Sequence, residues 1–267
     1  MTSIKLSSCC PTWDWKRQTP LNNGVWNKHT FACNQEVNQC DYWIVYENIS
    51  EEETTSCPSG NTILITGEPP TTKTYHPKFL AQFDTIISCH KNLKHPNVIV
   101  SHINLPWMVG YQPPSPTFTK SYAELKNIQS YPKTKLASII CSDKTFTKGH
   151  AQRYKFVKKL QKKFNGTIDF FGRGFTPITD KWDAIAPYKY HITIENSSVD
   201  HYWTEKLADA YLAQSYPIYH GCPNIENYFS KNSLTKIDIN NPEQAFKTIE
   251  LAISLNRYEQ SIQSLKN

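Results

Sequence analysis

Several absences narrow the field first. No stretch of 18 consecutive apolar residues occurs in the 267-residue chain, so the sequence offers no membrane-spanning helix of ordinary length. The opening MTSIKLSSCCPTWDW carries no apolar region of the kind a secretory signal needs. The expectation is a soluble protein, cytoplasmic, with association at the inner face of a membrane as the alternative. The eight cysteines, Cys9, Cys10, Cys33, Cys40, Cys57, Cys89, Cys141 and Cys222, include no C-x-x-C. Zinc-ligand spacing is therefore missing, and reduced thiols are expected in such a compartment. A Cys33–Cys40 disulfide stays open. Walker A, G-x-S-x-G and H-E-x-x-H patterns are also missing, which removes the P-loop, serine-hydrolase and zincin readings.

What is present is enough to build a core. Apolar residues make up 39% and aromatic residues 13% of the chain, so global disorder is excluded. The net charge of +6 favours anionic partners such as phosphates, nucleotides or an anionic membrane surface. It falls short of the bias of a dedicated nucleic-acid binder.

Short β-rich runs dominate the first half: CDYWIVYENI, NTILITGE and FDTIISCH read as strands. HPKFLAQF between the last two reads as a helix and implies a β-α-β step. LPWMVGYQPPSPTFTKS is rich in proline and polar residues and reads as a linker or long loop. The second half alternates more regularly. Strands are expected in KLASIICSD, TIDFFGRG, KYHITIEN and YPIYHG, and helices in HAQRYKFVKKLQKKF, TEKLADAYLAQ and NPEQAFKTIELAISL. Val157, Leu160 and Phe164 give the first of these helices an apolar face. Such alternation implies parallel sheets. The expected architecture is α/β with two Rossmann-like domains facing a central cleft, residues 1–130 and 131–267.

Ligands of such sheets bind at the carboxyl ends of strands, which directs attention to particular side chains. Glu195-Asn196 ends an apolar strand, and Thr204 is a plausible N-cap before Glu205-Lys206. Lys206 stands in a first helical turn, where a cation opposes the helix dipole, so an external anion is the natural partner. Arg153 lies early in its own helix. Read alone, both are ordinary solvated cations. The lysines 155, 158, 159, 162 and 163 read as the solvated back of an amphipathic helix. Lacking interleaved aromatics, they make a poor nucleic-acid platform. Glu68, in ITGEPP, follows a strand and suits a general base; as a plain loop residue it would be unremarkable. FGRGF lacks the G-x-G-x-x-G pattern. No D-x-D pair is present, so basic side chains rather than a bound metal have to neutralise a diphosphate.

The stretch YKYHITIENSSVDHYWTEKLADAYLAQSYPIYHGCPNIENYF closely resembles the signature of the α1,3/α1,4-fucosyltransferase family. KLASIICSD with RYKFVKKLQKKFNGTIDFFGRG resembles the preceding segment of that family's donor domain, and CDYWIVYENI with TILITGEPP its N-terminal domain. The resemblance implies a GT-B fold, an N-terminal acceptor-binding domain and a C-terminal donor-binding domain. It also implies GDP-fucose as donor, a glycan hydroxyl as acceptor and inversion at the anomeric carbon. Glu68 then matches the general base. Arg153 and Lys206 match the cations on the donor diphosphate, and Asn196, Tyr202 and Glu205 match donor-site residues. Glu195 belongs to the same motif. No metal site is expected, a divalent ion being at most stimulatory. The remaining readings are the same fold with another GDP-sugar, or a non-catalytic carbohydrate- or nucleotide-binding protein. The membrane anchor or long stem of animal members, and the C-terminal repeat or basic tail of some bacterial ones, are not expected of this chain.

Overall fold

The structure is a computed structural model that describes residues 1–10, 12–112 and 117–266. The chain divides into two compact units. One holds Met1–Pro106 and Ser121–Glu124; the other holds residues 107–112, Thr117–Lys120 and the chain from Leu125 on. Part of the proline-rich stretch read as a linker, residues 113–116, lies outside the described residues.

The first unit is a seven-stranded sheet made of β1 (Thr2–Ser8), β2 (Val25–Trp26), β3 (His29–Cys33), β4 (Tyr42–Tyr46), β5 (Thr62–Ile65), β6 (Thr85–Ser88) and β7 (Val98–Val100). Their order is β2-β3-β1-β4-β5-β6-β7. Every pairing is parallel except β2 with β3. The opening MTSIKLSS, too polar to read as a core strand, is β1, flanked by β3 and β4. Its Lys5 is buried and ion-paired with Glu53 at 2.8 Å. Glu53 also accepts from Ser7 Oγ at 2.7 Å. The acidic loop after β4 thus covers a sheet face where a crossover helix would usually stand. The helix expected in HPKFLAQF shrinks to a single turn, α1 (Pro77–Leu80). A small core forms from Val45, Leu64, Leu80 and Ile86.

The second unit has the regular alternation. A two-stranded ribbon, β8 (Tyr111–Gln112) with β9 (Thr117–Phe118), and α2 (Tyr122–Asn127) precede the main sheet. That sheet comprises β10 (Lys135–Ile140), β11 (Ile168–Phe171), β12 (Tyr188–Ile194), β13 (Tyr216–His220) and β14 (Thr235–Lys236), in the order β11-β10-β12-β13-β14. All its pairings are parallel. The helices are α3 (Lys148–Lys163), α4 (Lys181–Ile185), α5 (Glu205–Leu212), α6 (Pro242–Ser254) and α7 (Arg257–Lys266). Phe156, Val157, Leu160 and Phe164 of the α3 segment join Ile192, Ile194, Ile218, Phe246 and Ile249 in the main core. The α3 lysines face solvent, as the periodicity requires.

Residues 107–112 and 117–120 pack with this second unit because two buried carboxylates hold them. Asp209 Oδ1 accepts from the N–H groups of Met108 and Val109 at 2.7 and 3.0 Å. Asp180 accepts from Gly110 N–H at 2.8 Å and Thr119 Oγ1 at 2.6 Å, while also capping α4 through Trp182 N–H.

Candidate active site

In the second sheet β10 is the first strand, and the chain moves from it to one side (β11) and then to the other (β12). The carboxyl ends of β10 and β12 therefore border a topological switch point, where open parallel sheets bind ligands. Ser142 follows β10; Glu195 and Asn196 follow β12. The amino ends of α3 and α5 flank the same point, and helix amino ends favour anions. Thr147 and Thr204 cap these helices through His150 N–H and Lys206 N–H. Gly149 is obligatory here: a Cβ would lie 1.8 Å from the Asn196 carbonyl oxygen.

Arg153 projects from the second turn of α3 and is buried. Its guanidinium donates to Asn196 Oδ1 and, at 3.2 Å, to Ser142 Oγ. Among the described residues no carboxylate pairs with it, and its Nε has no hydrogen-bond partner. A guanidinium stays charged at any physiological pH, and burying a charge without a counter-ion is costly. An external anion resolves that cost.

Lys206 is the second residue of α5. Its ammonium donates to Thr204 Oγ1 at 3.1 Å and Glu205 Oε1 at 3.3 Å, and lies 3.6 Å from Glu195 Oε2. Glu195 is fully buried; Thr204 N–H and Oγ1–H both donate to it at 2.8 Å. The carboxylate that ends β12 is thus tied to the cap of α5. Burial raises its pKa, with Lys206 and the threonine opposing. Gly221 packs on this side chain, since a Cβ there would come 2.5 Å from Glu195 Cγ. Glu205 accepts from Lys206 and from Lys181 at 3.3 Å each. Burial raises its pKa, but the two lysines outweigh it and hold the carboxyl well below the usual range. Tyr202 is buried in the loop between β12 and α5.

Lys181, from α4, was not singled out by sequence, and neither was Asp209. Lys181 Nζ bridges Asp209 Oδ2 at 2.9 Å and Glu205 Oε1 at 3.3 Å. Burial lowers its pKa, and the two carboxylates more than reverse that. The result is a chain of alternating charge, Asp209–Lys181–Glu205–Lys206–Glu195, beside the unpaired Arg153. Asp209, Lys181, Glu205, Lys206 and Arg153 line a pocket of about 150 Å³ together with Ser142, His191 and Thr193. The i, i+4 spacing of Glu205 and Asp209 on an otherwise apolar helix face was the signal for these carboxylates. Nothing near Lys181 marked it.

Glu68 lies in the first unit, after β5. Its carbonyl accepts from His90 Nε2–H at 2.9 Å. Beside it is a carboxylate the sequence reading passed over. Glu47 follows β4 with a left-handed φ of 65°, at the switch point between β1 and β4. It accepts from Gly67 N–H, Lys73 Nζ and, at 2.8 Å, Tyr75 OH. These contacts hold the Gly67–Tyr75 loop, and Glu68 with it. The rings of Trp13, Trp15 and Tyr46 pack together at the same end of the sheet, with centroids 4.9–6.1 Å apart.

Among the described residues no group of three or more His, Cys, Asp or Glu side chains could hold a metal ion. No described helix is long and apolar enough to cross a membrane.

Two α/β units, the second with a cationic pocket at its switch point, define a pair of Rossmann-type folds of the GT-B class. Known proteins agree. Crystal structures of an α1,3-fucosyltransferase with GDP and with GDP-fucose superpose on 98% of this chain and 81% of theirs, with TM-scores of 0.57 and 0.55 at 18% and 17% identity. Residues 130–261 match the family model "Glycosyltransferase family 10 (fucosyltransferase) C-term". The chain is 31% identical over 74 residues to the α-(1,3)-fucosyltransferase FucT of Helicobacter pylori. It is 34% identical over 104 residues to 4-galactosyl-N-acetylglucosaminide 3-α-L-fucosyltransferase 9 of Bos taurus. Those alignments cover 27% and 37% of this chain, but only 16% and 28% of the two relatives. The second unit thus resembles glycosyltransferase family 10 over residues 130–261, just under half of the chain.

Proposed function

We propose that the protein is an inverting glycosyltransferase that moves L-fucose from GDP-fucose to a hydroxyl of a glycan acceptor. The observation that carries this reading is Arg153: a buried guanidinium with no carboxylate partner, at the switch point of a family 10 domain, beside Lys206. The donor diphosphate supplies the missing negative charge. Bond cleavage adds charge to the departing GDP, and preorganised cations stabilise such growing charge without reorganising. Asn196 orients the Arg153 guanidinium. Glu195 and Thr204 position Lys206. Glu205, kept ionised by its two lysines, is suited to accept hydrogen bonds from sugar or ribose hydroxyls. Tyr202 belongs to the same donor loop.

Glu68 takes the acceptor proton as its oxygen attacks the anomeric carbon, and GDP leaves from the opposite face. The half-buried aromatic cluster and the Glu47-anchored loop at the same end of the first sheet support an acceptor site there. With two cations on the diphosphate, turnover does not depend on a divalent metal. A cytoplasmic location, with attachment at the inner face of a membrane as the alternative, follows from the reduced-thiol reading of the sequence.

Calorimetric titration of GDP against UDP tests the donor class, because a ligand that binds only the folded state also raises Tm. GDP should bind and stabilise. Stabilisation by UDP and not by GDP would remove the donor assignment.

A further inference from the structure

We propose that Cys40 and Cys57 form a disulfide site in the first unit, closed by a small-molecule disulfide such as oxidised glutathione. The backbone places the two thiols opposite one another. Gln39 and Ser56 form an isolated parallel bridge, in which Cys40 N–H donates to the Ser56 carbonyl and Ser56 N–H to the Asn38 carbonyl, both at 2.9 Å. One step along this register, Cys40 faces Cys57. Paired strands run about 4.8 Å apart and in-register side chains share a face. That separation falls within the roughly 4.4–6.8 Å between Cα atoms that a disulfide accepts. The Cys57 thiol donates to the Asp41 carbonyl at 3.9 Å and the Asn61 carbonyl at 3.7 Å, which holds it at the start of β4 beside Cys40. Cys40 is buried and Cys57 half-buried, so one sulfur is open to attack and the other is shielded beside it.

The other cysteines lack this arrangement. Cys9 and Cys10 have their sulfurs 4.0 Å apart, but as chain neighbours they would close a strained ring through one peptide bond. Cys141 and Cys222 lie in the second unit, Cys89 follows β6, two strands from β4, and Cys33 ends β3, which β1 separates from β4 and so from Cys40. The structure therefore favours Cys57 over Cys33 as the partner of Cys40.

The chemistry is ordinary thiol–disulfide exchange. The Cys57 thiolate attacks one glutathione sulfur and expels a glutathione thiolate, which takes up the proton Cys57 gave up. Cys40, deprotonated in turn, displaces the second glutathione. Two protein S–H bonds are replaced by one S–S bond, and the oxidant becomes two thiols. Burial raises the Cys57 pKa, so exchange is slow at neutral pH and quickens in mild alkali. The bond encloses residues 41–56, which include β4, Glu47 and the Glu53 that covers Lys5. It ties the start of β4 to the end of the loop leading towards β5.

The test is peptide mapping of the full chain held with oxidised glutathione at mildly alkaline pH, then quenched and alkylated. A cross-linked pair of peptides containing Cys40 and Cys57, about 2 Da lighter than the sum of the reduced peptides, is expected. A loop of this size should also raise Tm by on the order of 5–10 °C. Cys57→Ser should abolish both the link and the gain in Tm. Exhaustive oxidation that leaves Cys40 and Cys57 alkylated, or pairs Cys40 with Cys33, overturns the proposal.

Discussion

Arg153 and Lys206 do different work although both are cations beside the same strand ends. Lys206 is balanced by Glu195 and Glu205, whereas Arg153 is balanced by nothing described. Arg153→Met should therefore abolish GDP binding without lowering the Tm of the ligand-free protein, since it removes an uncompensated buried charge. A Tm drop of more than a few degrees would show that Arg153 is structural. Lys206→Ala should weaken GDP binding by roughly ten- to a hundredfold, the worth of a charge-assisted hydrogen bond of about 1.5–3 kcal/mol, and should also lower turnover. Glu68→Gln keeps shape and loses the base. GDP affinity should hold while kcat falls by on the order of a hundredfold. If kcat is retained under saturating substrates, the base lies elsewhere. His191 offers a check on folding. It is buried, bonded to Ser138 Oγ at 2.9 Å, and its pKa is pushed down to about 3 by burial and then by Lys181 and Lys133. The unfolded chain therefore binds a proton that the folded chain refuses between about pH 6.5 and 3. Its contribution is present above that window and is lost as pH falls through it, by about 1.4 kcal/mol per unit. Urea unfolding between pH 6 and 4 should show the wild type losing stability more steeply than His191→Asn. Parallel slopes would contradict the neutral histidine.

Secondary elements explain how much the sequence disclosed. In the second unit β10, α3, β11, β12, α5, β13 and α6 were legible because each has a clear apolar pattern, with a start signal for α5 and α6 as well. Thr204 precedes Glu205, and Pro242 opens α6. The first unit was less legible because loops replace helices as crossovers. Strand β1 was hidden because Lys5 and Ser7 point into the fold, where Glu53, far along the chain, satisfies both. The same cause hid Lys181, whose partners Asp209 and Glu205 lie more than twenty residues away. The sequence singles out Arg153, Asn196, Glu195, Glu205 and Lys206, and the structure brings them together. Glu68 lies in the other unit, and Glu47 went unnoticed because only its three donors distinguish it from an ordinary loop glutamate. Lys181→Met tests the buried charge chain. Stranding the buried Asp209 should cost about 3–5 kcal/mol, whereas Asn241→Ala, which removes the cap of α6, should cost about 1 kcal/mol. Equal Tm losses in the two variants would refute the ranking.

At the scale of the whole molecule, the two α/β units carry different groups: a pocket with three cations and two carboxylates in one, and carboxylates with an aromatic cluster in the other. If the cations alone balance the diphosphate, excess EDTA should leave turnover substantially intact. Complete loss restored by manganese would show that a metal takes part. The central claim is the transfer of fucose from a GDP donor with inversion. Its most direct test is a donor screen with purified protein and a panel of glycan acceptors, reading nucleotide release and the anomeric configuration of the product. GDP release from β-linked GDP-fucose, dependent on acceptor and yielding an α-fucoside, is the predicted result. Release of UDP from a UDP-sugar with none from GDP-fucose, or a β-linked product, would contradict it.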